Sequence, residues 1–227
     1  MPDEKSFPES AAEFDYRKSV RKAEDKWAFR YFQVNKYLNR PLASLIVRAV
    51  YRTRVTPNQL TYLAFLLGLA GAYFFFKGTP SAFIVGGILA QVSSIVDCAD
   101  GMLARARDQR SEFGAYLDLF LDRVNEFFLI TGFVLGYYRQ SGQVHLLILG
   151  LTALGLYFLQ NTIFYLTKSY LKDGKKGETA ENRGWFLFLM FLFAVINQPD
   201  VGICVLLGAS AAINIFLTYN FFRLKRT

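Results

Sequence analysis

Four aspartates in one stretch of this 227-residue chain stand where an aspartate is expensive. Asp97 and Asp100 are three residues apart and Asp118 and Asp122 four apart, so on two helices each pair falls on one face. The segments that carry them are apolar and membrane-like, a setting in which a carboxylate marks a functional site by default. Four such groups converging in a low dielectric repel one another unless cations lie between them. The spacing therefore asks for metal, and hard carboxylate oxygens suit magnesium or manganese. Paired divalent cations about 4 Å apart neutralise charge well in phosphoryl transfer. On this reading Asp97, Asp100 and Asp118 are the natural ligands. Asp122 can accept the proton of an attacking hydroxyl or touch the second metal.

The elements that must position these groups are membrane helices. The chain is 53% hydrophobic and 17% aromatic, a composition that belongs to membrane proteins. Apolar segments run over 59–76, 82–103, 113–138, 144–167, 185–196 and 201–222, most of them near the roughly 20 residues that cross a bilayer. The pattern predicts an all-α integral membrane protein with six transmembrane helices and an N-terminal interfacial amphipathic helix. Its organisation reads as a polar tail (1–25), a juxtamembrane amphipathic region (26–55) and a six-helix domain (56–227). Pro41 starts the amphipathic segment, 41–51, which either lies in the membrane interface or packs on the rest of the protein. Thr56, Pro57 and Asn58 supply the start of the first long helix.

Charge sets the topology. The net charge of +8 does not form a groove-sized patch for nucleic acid, because the basic residues sit at the ends of apolar segments. All but three of the 26 Lys and Arg fall on one side of a six-span arrangement; Lys77 and Arg139 lie on the other side, and Arg123 lies within a helix. This bias predicts a multi-pass protein with both termini and the acidic cluster cytoplasmic. About the first 40 residues carry no apolar signal region, so insertion is expected from the internal helices. Cys98 and Cys204 have no metal-site spacing and read as buried thiols. His145, Trp27 and Trp185 read as interfacial residues.

Residues 97–122 spell DCADGMLARARDQRSEFGAYLDLFLD, which fits DxxDGxxARx8GxxxDxxxD at every fixed position. This closely resembles the signature of the CDP-alcohol phosphotransferases, integral membrane enzymes that make phospholipids from cytidine-diphosphate donors. The resemblance implies six transmembrane helices, a homodimer, two divalent cations and a cytoplasmic cavity for the CDP moiety. It also implies attack by an acceptor hydroxyl on the donor's β-phosphorus, with CMP as leaving group. Asp97, Asp100, Asp118 and Asp122 would then form the metal site, with Asp122 also the base. Asp97, Gly101, Ala104, Arg105 and Gly114 would lie along the nucleotide, with Pro57, Asn58 and Thr61 of a PNxxT element nearby. Gly101 and Gly114 also suit small-residue helix packing, and Arg105 also suits a topological anchor, though the resemblance favours the functional role.

The alcohol is less legible. Arg123 can bind a phosphate on the acceptor, or pair with Asp122 or Glu126. Lys168, Lys172, Lys175, Lys176 and Arg183 form a second basic group, in which Lys168 and Arg183 are acceptor candidates and a positive-inside loop is the alternative. The stretch at 18–61 together with LDLFLDRVNEFFL resembles the branch of di-myo-inositol-phosphate phosphate synthases, whose donor is CDP-inositol and whose acceptor is inositol phosphate. CDP-diacylglycerol-dependent synthases of phosphatidylglycerophosphate, phosphatidylinositol phosphate or phosphatidylserine share the same motif residues. An intramembrane prenyltransferase also uses aspartates and magnesium, but gives the element from Gly101 to Arg105 no role. A cation transporter would want its carboxylates at the bilayer midplane.

Overall fold

Local chemistry starts and stops the helices. The structure, a computed structural model, describes residues 34–170 and 183–225. A π-helical turn, Asn35–Asn39, leads into α1, Arg40–Val50. The other helices are α2 (Pro57–Lys77), α3 (Pro80–Ala106), α4 (Glu112–Ser141), α5 (Val144–Tyr170), α6 (Arg183–Val195) and α7 (Pro199–Lys225). Thr56 caps α2 reciprocally: the Gln59 amide donates to Thr56 Oγ1 at 3.3 Å and the Thr56 amide donates to Gln59 Oε1 at 3.0 Å. The Ala82 amide donates to Thr79 Oγ1 at 3.3 Å ahead of α3, and the Gly114 amide to Ser111 Oγ at 2.9 Å at the start of α4. Prolines 57, 80 and 199 occupy first-turn positions, where no donor is lost.

Every apolar segment read from the sequence is a helix, and among the described residues there is no strand. Four helical stretches are long and apolar enough to cross a membrane: Pro57–Lys77, Pro80–Ala106, Val144–Leu166 and Pro199–Arg223. They make the chain an integral membrane protein. At 30 residues α4 has the length, but Asp118, Asp122, Arg123 and Glu126 interrupt its apolar face. The 13 residues of α6 rise only about 20 Å.

Packing draws α2, α3 and α4 into one unit, in which α2 is closely apposed to both partners. A side chain at Gly136 of α4 would collide with the Phe75 carbonyl of α2, so its absence sets how near these two backbones run. Phe75, Phe83 and Phe133 meet beside that crossing with ring centroids 5.1 to 5.5 Å apart. Against this unit α6 packs on α3, while α5 and α7 pair with each other.

The amphipathic segment packs one face of α1 on the bundle. Ala43 and Val47 of α1 are fully buried against Leu60, Val96, Ala99 and Met102, whereas Leu42 and Leu45 face outward. Asn39 is fully buried, which nothing in its polar neighbourhood suggested. Its Nδ2 donates to Asn35 Oδ1 at 2.8 Å and Ser94 Oγ at 2.9 Å, and it accepts from Gln91 Nε2 at 2.7 Å. These bonds let a polar side chain enter an apolar bundle and tie the approach to α1 onto α3. Cys98 is half-buried and Cys204 exposed, because Cys204 sits on an outward face of α7 rather than in the core. Trp185 packs on the main core, and His145 is exposed at the start of α5. The tail 1–25, Trp27, Lys172, Lys175 and Lys176 lie outside the described residues.

Candidate active site

Three helix ends meet around one cavity of about 320 Å3. The last turns of α3 bring Asp100, Gly101, Ala104 and Arg105 to it, the first turn of α2 brings Pro57, Asn58 and Thr61, and the opening turns of α4 bring Gly114 and Asp118. Asp97 stands one turn back on α3 without lining the cavity. One carboxylate oxygen each from Asp97, Asp100 and Asp118 lies within 4.8 Å of the others. Asp100 is 5% exposed, and Asp97 and Asp118 are half-buried. Three hard anionic donors this close suit an octahedral magnesium or manganese ion, whose opposed ligands lie about 4.2 Å apart. The donor set therefore fits the implied metal.

Asp122 is half-buried and stands outside that trio, one helical turn further along α4. The four aspartates read together in the sequence thus divide three and one.

Thr61 lines the cavity beside Pro57 and Asn58 and also contacts the acidic trio. It is 5% exposed, and its Oγ1 donates to Asp100 Oδ2 at 2.6 Å. Besides lining the cavity, this hydroxyl aims a carboxylate, as partners of metal ligands commonly do. Thr61→Val should raise the magnesium concentration that half-saturates CMP release about ten- to a hundredfold, and Thr61→Ser should restore it. A Thr61→Val titration that superimposes on the wild type would remove that role.

The glycines have distinct surroundings. A methyl group on Gly101 would lie 3.1 Å from Arg105 Nη1, so the guanidinium folds back across Gly101 along the cavity wall. A methyl group on Gly114 would lie 2.9 Å from Ser111 Oγ and 3.2 Å from Asn58 Oδ1, so its absence lets the first turn of α4 approach that of α2. Gln109, Arg110, Ser111 and Ala115 also line the cavity. Sequence reasoning missed them, although Ser111 one residue before an acidic helix start was a readable cap. Arg40 and Arg110 lie within electrostatic range of Arg105. Arg105 and Arg110, which both line it, make the cavity attractive to a diphosphate.

Arg123 is committed elsewhere. Its Nη1 donates to Glu126 Oε2 at 2.6 Å, and Glu126 is 1% exposed. Tyr157 and Tyr165 of α5 lie within its electrostatic range. Pairing with Glu126 is thus the alternative that this structure adopts. Lys168 falls in the last turn of α5 and Arg183 opens α6, but the side chains of both lie outside the described residues. Asp108, in the turn after α3, is exposed with a left-handed backbone, as suits a solvated loop aspartate.

A membrane-embedded helical bundle with an acidic trio and basic groups at the mouth of one cavity defines an integral membrane enzyme built to handle a charged phosphodiester or diphosphate. The family model for CDP-alcohol phosphatidyltransferase matches residues 54–219, and the chain belongs to this family. It is a CDP-alcohol phosphotransferase. It is similar to the archaetidylinositol phosphate synthase of Pyrococcus horikoshii, with 30% identity over 149 residues covering 66% of this chain and 74% of that protein. It is also similar to the bifunctional IPC transferase and DIPP synthase of Thermococcus kodakarensis, with 42% identity over 90 residues covering 40% of this chain. That match spans only 20% of the bifunctional protein's length. In fold it resembles the crystal structure of Mycobacterium tuberculosis phosphatidylinositol phosphate synthase (PgsA1) with CDP-DAG bound. The TM-score is 0.67 at 21% identity, covering 80% of this chain and 94% of that one.

Proposed function

We propose that this phosphotransferase moves an inositol phosphate unit from CDP-inositol to a hydroxyl of inositol phosphate, releasing CMP. The observation that carries the site is the trio Asp97, Asp100 and Asp118 beside a cavity lined by Arg105. The choice of alcohol draws on the resemblance in the 18–61 stretch and on bifunctional DIPP synthase relatives, 37 to 42% identical over their matched parts.

In the reaction the acceptor oxygen bonds to the donor's β-phosphorus while the bond from that phosphorus to the CMP oxygen breaks. The acceptor proton passes to Asp122, and CMP leaves with the electron pair. Asp97, Asp100 and Asp118, with Asp122 at the edge, would hold two divalent cations, which supply neutralisation of the diphosphate and leaving-group charge. Thr61 keeps Asp100 aimed. Arg105 meets the diphosphate, and Gly101, Ala104 and Gly114 leave the nucleotide room beside Pro57 and Asn58. Lys168 and Arg183 receive the acceptor's phosphate, while Arg123 stays paired with Glu126.

The reading includes six spans with both termini and the site cytoplasmic, supported by the Lys and Arg distribution. It includes a tail at 1–25, a juxtamembrane region at 26–55, a catalytic domain from 56 onwards, and a homodimer, as the family resemblance implies. A second reading takes a CDP-linked lipid as donor. The long match to an archaetidylinositol phosphate synthase favours it.

The test incubates purified protein and magnesium with CDP-inositol or CDP-diacylglycerol, each with radiolabelled inositol phosphate, glycerol phosphate or serine. A water-soluble labelled product from CDP-inositol and inositol phosphate is expected. Label extracted into organic solvent from the lipid donor establishes the second reading. Incorporation of glycerol phosphate or serine in preference to inositol phosphate overturns the first reading, and no labelled product from either donor overturns both.

A further inference from the structure

Arg107, at a variable position of the signature, spends its whole guanidinium on the main chain of one short segment. Nη2 donates to the carbonyls of Val50 at 2.6 Å, Tyr51 at 2.8 Å and Thr53 at 2.9 Å. Nη1 donates to the Val55 carbonyl at 2.6 Å and Nε to the Tyr51 carbonyl at 3.2 Å. The guanidinium carbon also lies 5.9 Å from the centre of the Tyr51 ring. Val50 and Tyr51 close α1, where helix carbonyls have no partner within the helix and a cation complements the dipole. Thr53 and Val55 belong to the connection into α2.

The location gives this clamp its consequence. Arg107 caps α3 two residues after Arg105 and three before Arg110, both of which line the cavity. The clamped segment ends at Val55, immediately before the Thr56 cap that sets Pro57, Asn58 and Thr61 on the opposite wall. One side chain thus fastens the connection that delivers one wall of the cavity to the helix end that forms the other. The planar five-donor fork is what lets a single cation reach four carbonyls, a span that a lysine ammonium does not cover.

We infer that Arg107 is a positioning residue for the donor nucleotide, holding the connection from α1 to α2 so that Pro57, Asn58 and Thr61 meet the nucleotide in register with Arg105. The inference rests on the CDP-donor reading above. Without the clamp, residues 51–56 must be ordered by the ligand itself, and ordering even one residue costs on the order of tenfold in affinity.

The experiment uses the full chain in detergent with magnesium. It measures CMP affinity by calorimetry, KM and kcat from CMP release, and hydrogen exchange over 50–58. Arg107→Met should weaken CMP binding and raise the donor KM about tenfold, leave kcat within about twofold, and speed exchange in that segment. Arg107→Lys, which keeps the charge at the end of α1, should fall between the two and answers the question if Arg107→Met does not fold. Unchanged CMP affinity and KM in the folded variants, or a loss confined to kcat and melting temperature, would overturn the inference. Failure of the wild-type protein to bind CMP at all would overturn the CDP-donor reading instead.

Discussion

Asp97→Asn, Asp100→Asn and Asp118→Asn should each abolish metal-dependent CMP release, with losses of about a thousandfold or more. Metal-borne charge stabilisation amounts to several kcal/mol, and each 1.36 kcal/mol is a factor of ten in rate. Asparagine keeps the shape of the side chain, and at position 100 its oxygen can still accept the Thr61 hydroxyl bond. What it removes is the anionic oxygen that a cation needs. A binding measurement separates this from misfolding: manganese affinity, read by calorimetry, should fall in each variant while elution from a detergent column stays unchanged. The metal-free variants should also melt at or above the wild-type temperature, since one of three mutually repelling carboxylates has gone. Near-normal turnover in all three variants would end the metal assignment.

Asp122→Asn separates two roles that the spacing of the aspartates cannot. Asp122 lies outside the trio whose oxygens lie within 4.8 Å, so its loss should weaken manganese and CMP affinity less than it slows turnover. Removing a general base costs typically 10^2- to 10^4-fold, and kcat should fall by that amount. Should manganese and CMP affinity collapse together with the rate, Asp122 is a metal ligand first and its proton-accepting role is lost. The comparison is a clean one, because Asp118 and Asp122 share a face of α4 and differ by a single turn.

A good deal of this protein can be read from the chain alone. Eight fixed residues between Asp97 and Asp122 carry the resemblance to the family, and paired carboxylates at helical spacing in apolar segments mark a functional site. The apolar runs locate the helices, and Thr56, Ser111 and the first-turn prolines mark their starts, since caps and missing donors are local matters. Burial of single polar residues is not local. Asn39 reads as surface among Lys36, Tyr37 and Arg40, and only Gln91 and Ser94, more than fifty residues away, make its burial affordable.

The same distinction runs through the site. Sequence by itself determined which residue types could bind metal and diphosphate, and at which end of the helices they sit, because helical periodicity and charge bias are properties of the chain. Tertiary structure decided how those residues divide the work. It grouped three aspartates and set the fourth apart, turned Thr61 onto Asp100, gave Arg123 to Glu126, and brought Arg107 across to the end of α1. Each of these outcomes depends on which helix faces which, and long-range packing of α1 to α4 sets that.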